Sequence, residues 1–352
     1  MAFNLLLAPE IQQAYDRKLL QRFRTTTIFN KFGLQKGIPE HGGINISFRR
    51  MEIIRPVQLA SNVWPGVDAS WLSAGNASVP WPADATATNA AGIALTEGTY
   101  NNALAVVASW YETTATVRQY GQVAYLSELD MHQALDPQLS EYIENFGESM
   151  TELLDLVTRD VLLAATNRQY ANSRASNSAV ISGDFLNLLE LRKAKRTLKR
   201  ANAHPVEDGK YVVIGHPDTS YDLEGDSNIT NVWVTGGGLG KGADYFDATF
   251  KDLPLGFRYY ESSICPISRA SGYGDVYNTF VLGKEAFGTV KLDSMPAKVI
   301  THMPGTSGVS DPLDQIATVG WKANFAAVLL NQNNMVLIKH QTSAFTGTRG
   351  SL

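Results

Sequence analysis

The chain has 352 residues, of which 30 are basic and 34 acidic, so its formal charge at pH 7 is −4. Charged residues make up only 18% of the sequence, below the usual value of about 25%. This composition excludes collagen-like and wholly disordered proteins, and it gives no reason to expect tight, general binding to DNA, which depends on excess Lys and Arg. Neutral polar groups or other chains are expected to cover much of the surface, and the length predicts about two domains.

The single cysteine, Cys265, cannot form a disulfide within the chain, and we interpret it as a small buried apolar residue. The N-terminal residues lack the basic region of a signal peptide, and no apolar stretch reaches the ~18 residues of a membrane helix. We therefore expect a protein that is made in the cytoplasm and has no membrane partner.

The first 36 residues predict an amphipathic arm. Pro9 suits the first turn of a helix, which tolerates proline. Apolar residues then recur at helical spacing, namely Ile11, Tyr15, Leu19, Leu20 and Phe23.

Residues 56–117 contain neither lysine nor arginine, yet four of the six tryptophans lie there, among them Trp64, Trp71 and Trp81. A disordered linker would be poor in aromatic residues. One interpretation is a surface excursion whose indoles pack on their own subunit. The favoured interpretation is an extended loop that orders on a neighbouring subunit, because three buried indoles would offset much of the ~4–15 kcal/mol cost of association. The arginines before this stretch are further candidate intersubunit contacts: Arg49, Arg50 and Arg55.

The middle of the chain predicts strands followed by a long helix. Residues 103–127 are rich in β-branched and aromatic residues, which favour strands. Asp136 and Pro137 are typical of the N-cap and first position of a helix, and the apolar pattern continues to about Thr166. A second helix is predicted to start near Asp184. Further strands are predicted at 211–217, 257–263, 277–283, 325–330 and 335–340, an order of elements that indicates an α+β fold.

No motif predicts a catalytic, cofactor or metal site. The glycine run 235–242 fails the spacing of both the phosphate loop and the dinucleotide fingerprint. Asp222, Glu224 and Asp226 alternate like the start of a calcium loop, but the glycine and the closing acid are misplaced, which favours a solvated turn. The histidines are scattered. We therefore predict a protein that is not an enzyme and holds no cofactor.

A run of cations occupies residues 192–200. It places six positive charges in nine residues near a predicted helix C-terminus, where cations suit the helix dipole. One interpretation is a solvated or subunit-pairing face, and the other is a weak contact with nucleic acid. The candidate contact residues are Arg192, Lys195, Arg196 and Lys199.

Four segments, in this order and spacing, resemble the major capsid proteins of tailed phages, specifically the N4-type coat-protein family. They are TVRQYGQVAYLSELD (116–130), YVVIGHPDTSYDL (211–223), FVLGKEAFGTV (280–290) and DPLDQIATVGWKANFAAVLLN (311–331). The resemblance implies the Hong Kong 97-like capsid fold, an α+β fold with a long spine helix, expected at 139–166. It implies an N-terminal arm at 1–36, an extended loop at 37–110, a peripheral domain at 111–179 and 299–352, and an axial domain at 180–298.

The resemblance also implies the biological role. We expect a shell subunit that forms pentamers and hexamers around double-stranded DNA, in the virion capsid, with a separate scaffolding protein, a portal and a possible decoration protein as partners. No lysine lies between Gly37 and Arg192, so a lysine cross-link from the loop is not expected. The alternatives are a cellular compartment shell of the same fold, which encloses protein cargo, and an enzyme that uses an acid pair or the glycine run.

Overall fold

The computed structural model describes residues 27–39, 43–51, 110–133, 138–229, 250–253, 255–270, 274–293, 297–305, 313 and 315–344. The described α-helices are α1 (Glu128–Gln133), α2 (Gln138–Leu163), α3 (Leu188–Arg200) and α4 (Pro217–Gly225). The described strands are β1 (Leu34–Ile38), β2 (Asn45–Met51), β3 (Trp110–Thr116), β4 (Arg118–Ser127), β5 (Arg168–Tyr170), β6 (Tyr211–Gly215), β7 (Phe250–Leu253), β8 (Phe257–Glu261), β9 (Ile267–Ala270), β10 (Gly274–Leu282), β11 (Phe287–Leu292), β12 (Lys298–His302), β13 (Ile316–Leu329) and β14 (Met335–His340).

The first sheet has five strands and is organised around β13. Its order is β1-β11-β13-β12, and β4 pairs antiparallel with β13 over ten residue pairs, from Ile316↔Ser127 to Phe325↔Arg118. Along β13, buried residues alternate with half-buried ones from Ala317 to Phe325. This period of two is typical of a strand that packs one face on a core and leaves the other more open.

The first half of α2 packs on the buried face of this sheet. Leu126 of β4 and Val319 of β13 form a small core with Leu139 and Phe146 of the helix. Gln122 adds a polar contact between sheet and helix, because its Oε1 accepts a hydrogen bond from Ser149 Oγ at 3.0 Å.

The second sheet has seven strands and is buried on both faces. Its order is β5-β14-β10-β6-β8-β7, with β9 also paired to β10. Every residue of β6 and β14 is buried, which explains why their sequences are almost continuously apolar. One face packs against α3 and α4 through a core that includes Leu191, Leu198, Val213, Leu223, Phe257 and Ile338. The other packs against the end of α2 and residues 28–29 through a core that includes Phe29, Leu162, Ile214, Phe280 and Leu337.

A buried carboxylate on α2 holds the segment before β1. Asp155 accepts hydrogen bonds from the backbone N–H groups of Ile28, at 2.9 Å, and Asn30, at 2.7 Å. Burial raises the pKa of this carboxyl above its usual value, although those donors and the nearby Arg159 act in the opposite direction. Phe29 then meets Phe280 edge to face, with ring centroids 5.3 Å apart. The segment therefore lies against both α2 and the seven-stranded sheet.

The predicted elements are largely confirmed, with two corrections. The predicted spine helix corresponds to α2, and strands lie at each predicted strand segment from 211–217 onward. The predicted helix of the arm (Pro9 to Phe23), residues 103–109, Asp136 and Pro137 lie outside the described residues. The second helix does not start near Asp184: α3 begins at Leu188, and Asn187 is its N-cap, accepting from the Glu190 N–H. The Asp184 carboxylate instead forms an ion pair with Arg174, whose Nε lies 2.8 Å from Asp184 Oδ2. The solvated turn predicted for Asp222, Glu224 and Asp226 is wrong, because the first two lie in α4 and Asp226 is its C-cap.

By internal contacts the chain divides into two compact units. One comprises Met1–Ile46 and Thr114–Leu352, and the other Ser47–Thr113. The second unit overlaps the predicted extended loop at 37–110. In the first unit, the seven-stranded sheet combines β14 with strands of the predicted axial domain. The predicted boundaries between arm, loop, peripheral domain and axial domain stay predictions.

Candidate functional site

Helix α3 presents a cationic surface because its apolar residues, except Leu189, face the core at helical spacing. Leu188, Leu191, Ala194 and Leu198 are buried against the seven-stranded sheet. The intervening positions Arg192, Arg196, Lys199 and Arg200 are therefore exposed. Lys199 and Arg200 occupy the last turn, where positive charge interacts favourably with the helix dipole. Among the described residues, no carboxylate lies within ion-pair distance of Arg192, Arg196 or Lys199.

Lys195 differs from the other predicted cations because its side chain turns inward. Its ammonium donates a hydrogen bond to the carbonyl oxygen of Leu255 and lies 5.7 Å from the centre of the Phe257 ring. Burial, and then the nearby Lys199, lower the pKa of this ammonium. Leu255 has φ = 73°, a conformation that branched residues rarely adopt, and the bond from Lys195 helps to hold it there.

These residues line one shallow depression, which we call the basic face. It consists of Arg192, Lys195, Arg196, Lys199, Arg200 and Leu255. The structure thus brings together all four residues predicted here and adds two. Leu255 is 42% exposed, and its place beside the cations could not be predicted from the sequence, because more than 50 residues separate it from α3.

A second depression lies beside the first turn of α3. Its lining includes three residues of α4 and the C-cap of that helix, which we together call the acidic face, namely Tyr221, Asp222, Glu224 and Asp226. Asp226 Oδ2 accepts from the Leu188 N–H at 2.8 Å, which places this carboxylate at the first turn of α3. Asp222 accepts from the Ser343 N–H at 3.1 Å. Tyr221 is 64% exposed.

Two of the three arginines predicted as intersubunit contacts, Arg49 and Arg50, lie on β2, which pairs with β3. Arg49 Nε is 3.5 Å from Glu112 Oε2, and both side chains are largely exposed. The Arg50 guanidinium lies 5.7 Å from the centre of the Tyr111 ring. The neighbouring Trp110 is 64% exposed. The remaining predicted contacts, Arg55, Trp64, Trp71 and Trp81, lie outside the described residues.

The open face of the five-stranded sheet carries exposed apolar side chains that the sequence reasoning missed. Tyr125 is 71% exposed, and Val123 two residues earlier and Ile316 on β13 also face outward. The signal was present, since 123–126 is an unbroken apolar run. Such a run is typical of a strand that is covered on both faces.

The reactive side chains in the described residues are buried or dispersed. Burial raises the pKa of the Cys265 thiol far above its usual value, which suits a small core residue. Within the described ranges, no three His, Cys, Asp or Glu side chains are grouped so that they could hold a metal ion. No helix of those ranges combines the length and the apolar character that a membrane span requires.

Solved structures show where this fold occurs. The capsid of Ralstonia phage GP4 superposes with a TM-score of 0.65 at 11% identity, covering 97% of this chain and 98% of that chain. The cyanophage Pam1 capsid superposes with a TM-score of 0.62 at 11% identity, covering 97% of this chain and 100% of that chain. The capsid of cyanophage P-SCSP1u superposes with a TM-score of 0.56 at 15% identity, covering 93% of this chain and 91% of that chain. At these identities the likeness establishes the fold alone, and it confirms the predicted α+β capsid fold.

The sequence itself also matches a family. No curated protein matches the chain. The family model described as "Phage capsid protein" matches residues 110–333, which is well over half of the chain. That segment contains α2 and both sheets except for β1 and β14. The chain therefore belongs to the phage capsid protein family and is a capsid subunit that forms the shell.

Proposed function

We propose that this chain is the major capsid protein of a tailed phage of the N4 type, and that its pentamers and hexamers close into an icosahedral shell around double-stranded DNA. The observation that carries the proposal is the capsid-family match across both sheets and α2. The four segments that resemble N4-type coat proteins support the narrower assignment. The role is structural, and the chemistry it requires is the burial of surface between copies.

The exposed aromatic residues supply surface for that burial. Trp110 and Tyr125 are both more than three-fifths exposed in the isolated chain. Covering the exposed part of one such side chain removes on the order of 130 Å² from water, worth about 3 kcal/mol. A few such contacts offset much of the ~4–15 kcal/mol cost of association. Trp64, Trp71 and Trp81 in the proposed extended loop would add further contacts of the same kind.

The partners follow from the same role. We assign a scaffolding protein, a portal and the packaged genome as partners, with a decoration protein as an optional addition, and we place the subunit in the virion after synthesis in the host cytoplasm. A net charge of −4 keeps the shell from binding DNA strongly. Weak adhesion suits a genome that must enter and leave.

The test is assembly of the purified chain together with its scaffolding protein. Size-exclusion chromatography and negative-stain imaging should show closed particles, and a chain that stays monomeric at high concentration would refute the proposal. The contents of particles from infected cells separate a genome container from a compartment shell. Trp71→Ala and Trp81→Ala should each lower particle yield without changing the circular dichroism of the subunit. Wild-type yield from both variants would remove these residues from the interface.

A further inference from the structure

We propose that the basic face of α3 binds the acidic face of a second copy of this chain. The acidic face adjoins the first turn of this helix, where Asp226 accepts from the Leu188 N–H, whereas the basic face extends along the helix from Arg192 to Arg200 in its last turn. The inference rests on the proposed function, since it names one contact through which capsid subunits would meet.

Among the described residues of one copy, Arg192, Arg196 and Lys199 have no carboxylate within ion-pair distance, so these cations do not pair with the acidic face of their own chain. Buried leucines fix the helix rigidly to the seven-stranded sheet. Two different but complementary faces on one rigid body let each copy contact two neighbours head to tail, and such contacts close into rings when the rotation permits.

The composition of both faces fits a protein partner better than a phosphate backbone. The basic face has Leu255 among its cations. Leu189, which is 52% exposed, lies on the same side of α3. The acidic face has the exposed aromatic ring of Tyr221 beside its carboxylates. Arginine and tyrosine are enriched at protein interfaces, and a guanidinium stacks favourably on a tyrosine ring. A DNA backbone would leave both leucines uncovered.

The experiment reverses the charge of one face, then of both. The variant R192E/R196E changes the basic face, and Glu224→Arg changes the acidic face. Asp222 and Asp226 are left in place because they accept hydrogen bonds from backbone N–H groups. The control is Lys298→Glu, a single charge reversal at an exposed position on β12.

The readout is the critical concentration for assembly with the scaffolding protein, for chains whose circular dichroism matches the wild type. Each single-face variant should raise this concentration at least about tenfold, because like charges then face each other across the contact. The critical concentration of the chain with both faces reversed should return to within about threefold of the wild-type value. That of Lys298→Glu should also stay within about threefold of the wild-type value.

Three results would overturn the inference. The first is a single-face variant that assembles like the wild type. The second is a doubly reversed chain that assembles no better than the single-face variants. The third is an R192E/R196E particle that forms normally but retains less DNA, which would make the basic face a DNA contact. A wild-type chain that never assembles would overturn the proposed function as well, so the two failures are distinguishable.

Discussion

Acidification should destabilise the subunit through His340, the last residue of β14. Its ring is fully buried, with Nδ1 2.8 Å from the Gln341 carbonyl oxygen and Nε2 2.8 Å from Thr279 Oγ1. A carbonyl can only accept, so Nδ1 carries the proton and Nε2 accepts from the threonine hydroxyl. A second proton on Nε2 would require the threonine hydroxyl to accept instead of donate, and it would place a charge in the core.

Burial is the dominant cause that lowers the pKa of His340 from its usual 6.5 to about 4, while the Gln341 carbonyl and Asp222 act in the opposite direction. The unfolded chain therefore takes up this proton at a higher pH than the folded chain. The contribution to stability is complete above about pH 6.5 and is lost as the pH falls towards 4. At about 1.4 kcal/mol for each pKa unit, the full loss is about 3 kcal/mol.

Urea unfolding of the unassembled subunit at several pH values between 7 and 4 measures this loss. His340→Asn retains a donor for the Gln341 carbonyl but cannot titrate. Its unfolding free energy should therefore fall about 3 kcal/mol less than that of the wild type over this range. His302→Asn, at an exposed position on β12, is the matched control and should follow the wild type. Equal pH dependence in the His340 variant and the wild type would refute the reasoning.

Two further predictions concern stability and local order. Leu198→Ala should lower the unfolding free energy by about 2–5 kcal/mol, because the side chain is fully buried under α3, whereas Leu189→Ala on the exposed side of that helix should stay within about 0.5 kcal/mol of the wild type. Equal melting temperatures for the two variants would contradict this placement of α3. Asp155→Asn should weaken the hydrogen bonds from Ile28 and Asn30, and hydrogen exchange at those two amides should accelerate about tenfold while exchange in β14 stays unchanged.

Elements defined by local patterns could be predicted from the sequence. The three- and four-residue apolar steps located α2, and continuous apolar runs located β6 and β14. Helix starts were harder because they depend on which polar residue is free to act as a cap. Asp184 and Asn187 are both good N-cap residues, but Asp184 is held by Arg174, so Asn187 caps the helix.

Strand pairing between distant segments could not be predicted, since no local pattern encodes it. The strand β1 pairs parallel with β11, more than 250 residues later. Likewise β14 lies between β5 and β10. The same limit applies to the candidate site. The sequence identified the cations of the basic face, but only the fold shows that Lys195 turns inward and that Leu255 joins them.

The placement of β13 and β14 has a consequence for folding during synthesis. Both strands follow every other described strand in the chain, yet β13 joins three partners in one sheet and β14 lies inside the other. Neither sheet can be completed until residues 316–340 have left the ribosome. Such long-range pairing makes folding slow. Chains that are still being synthesised on one polysome are close together, but they would not yet present complete surfaces for contact with other subunits. Shell growth would thereby be delayed until residues 316–340 have been synthesised.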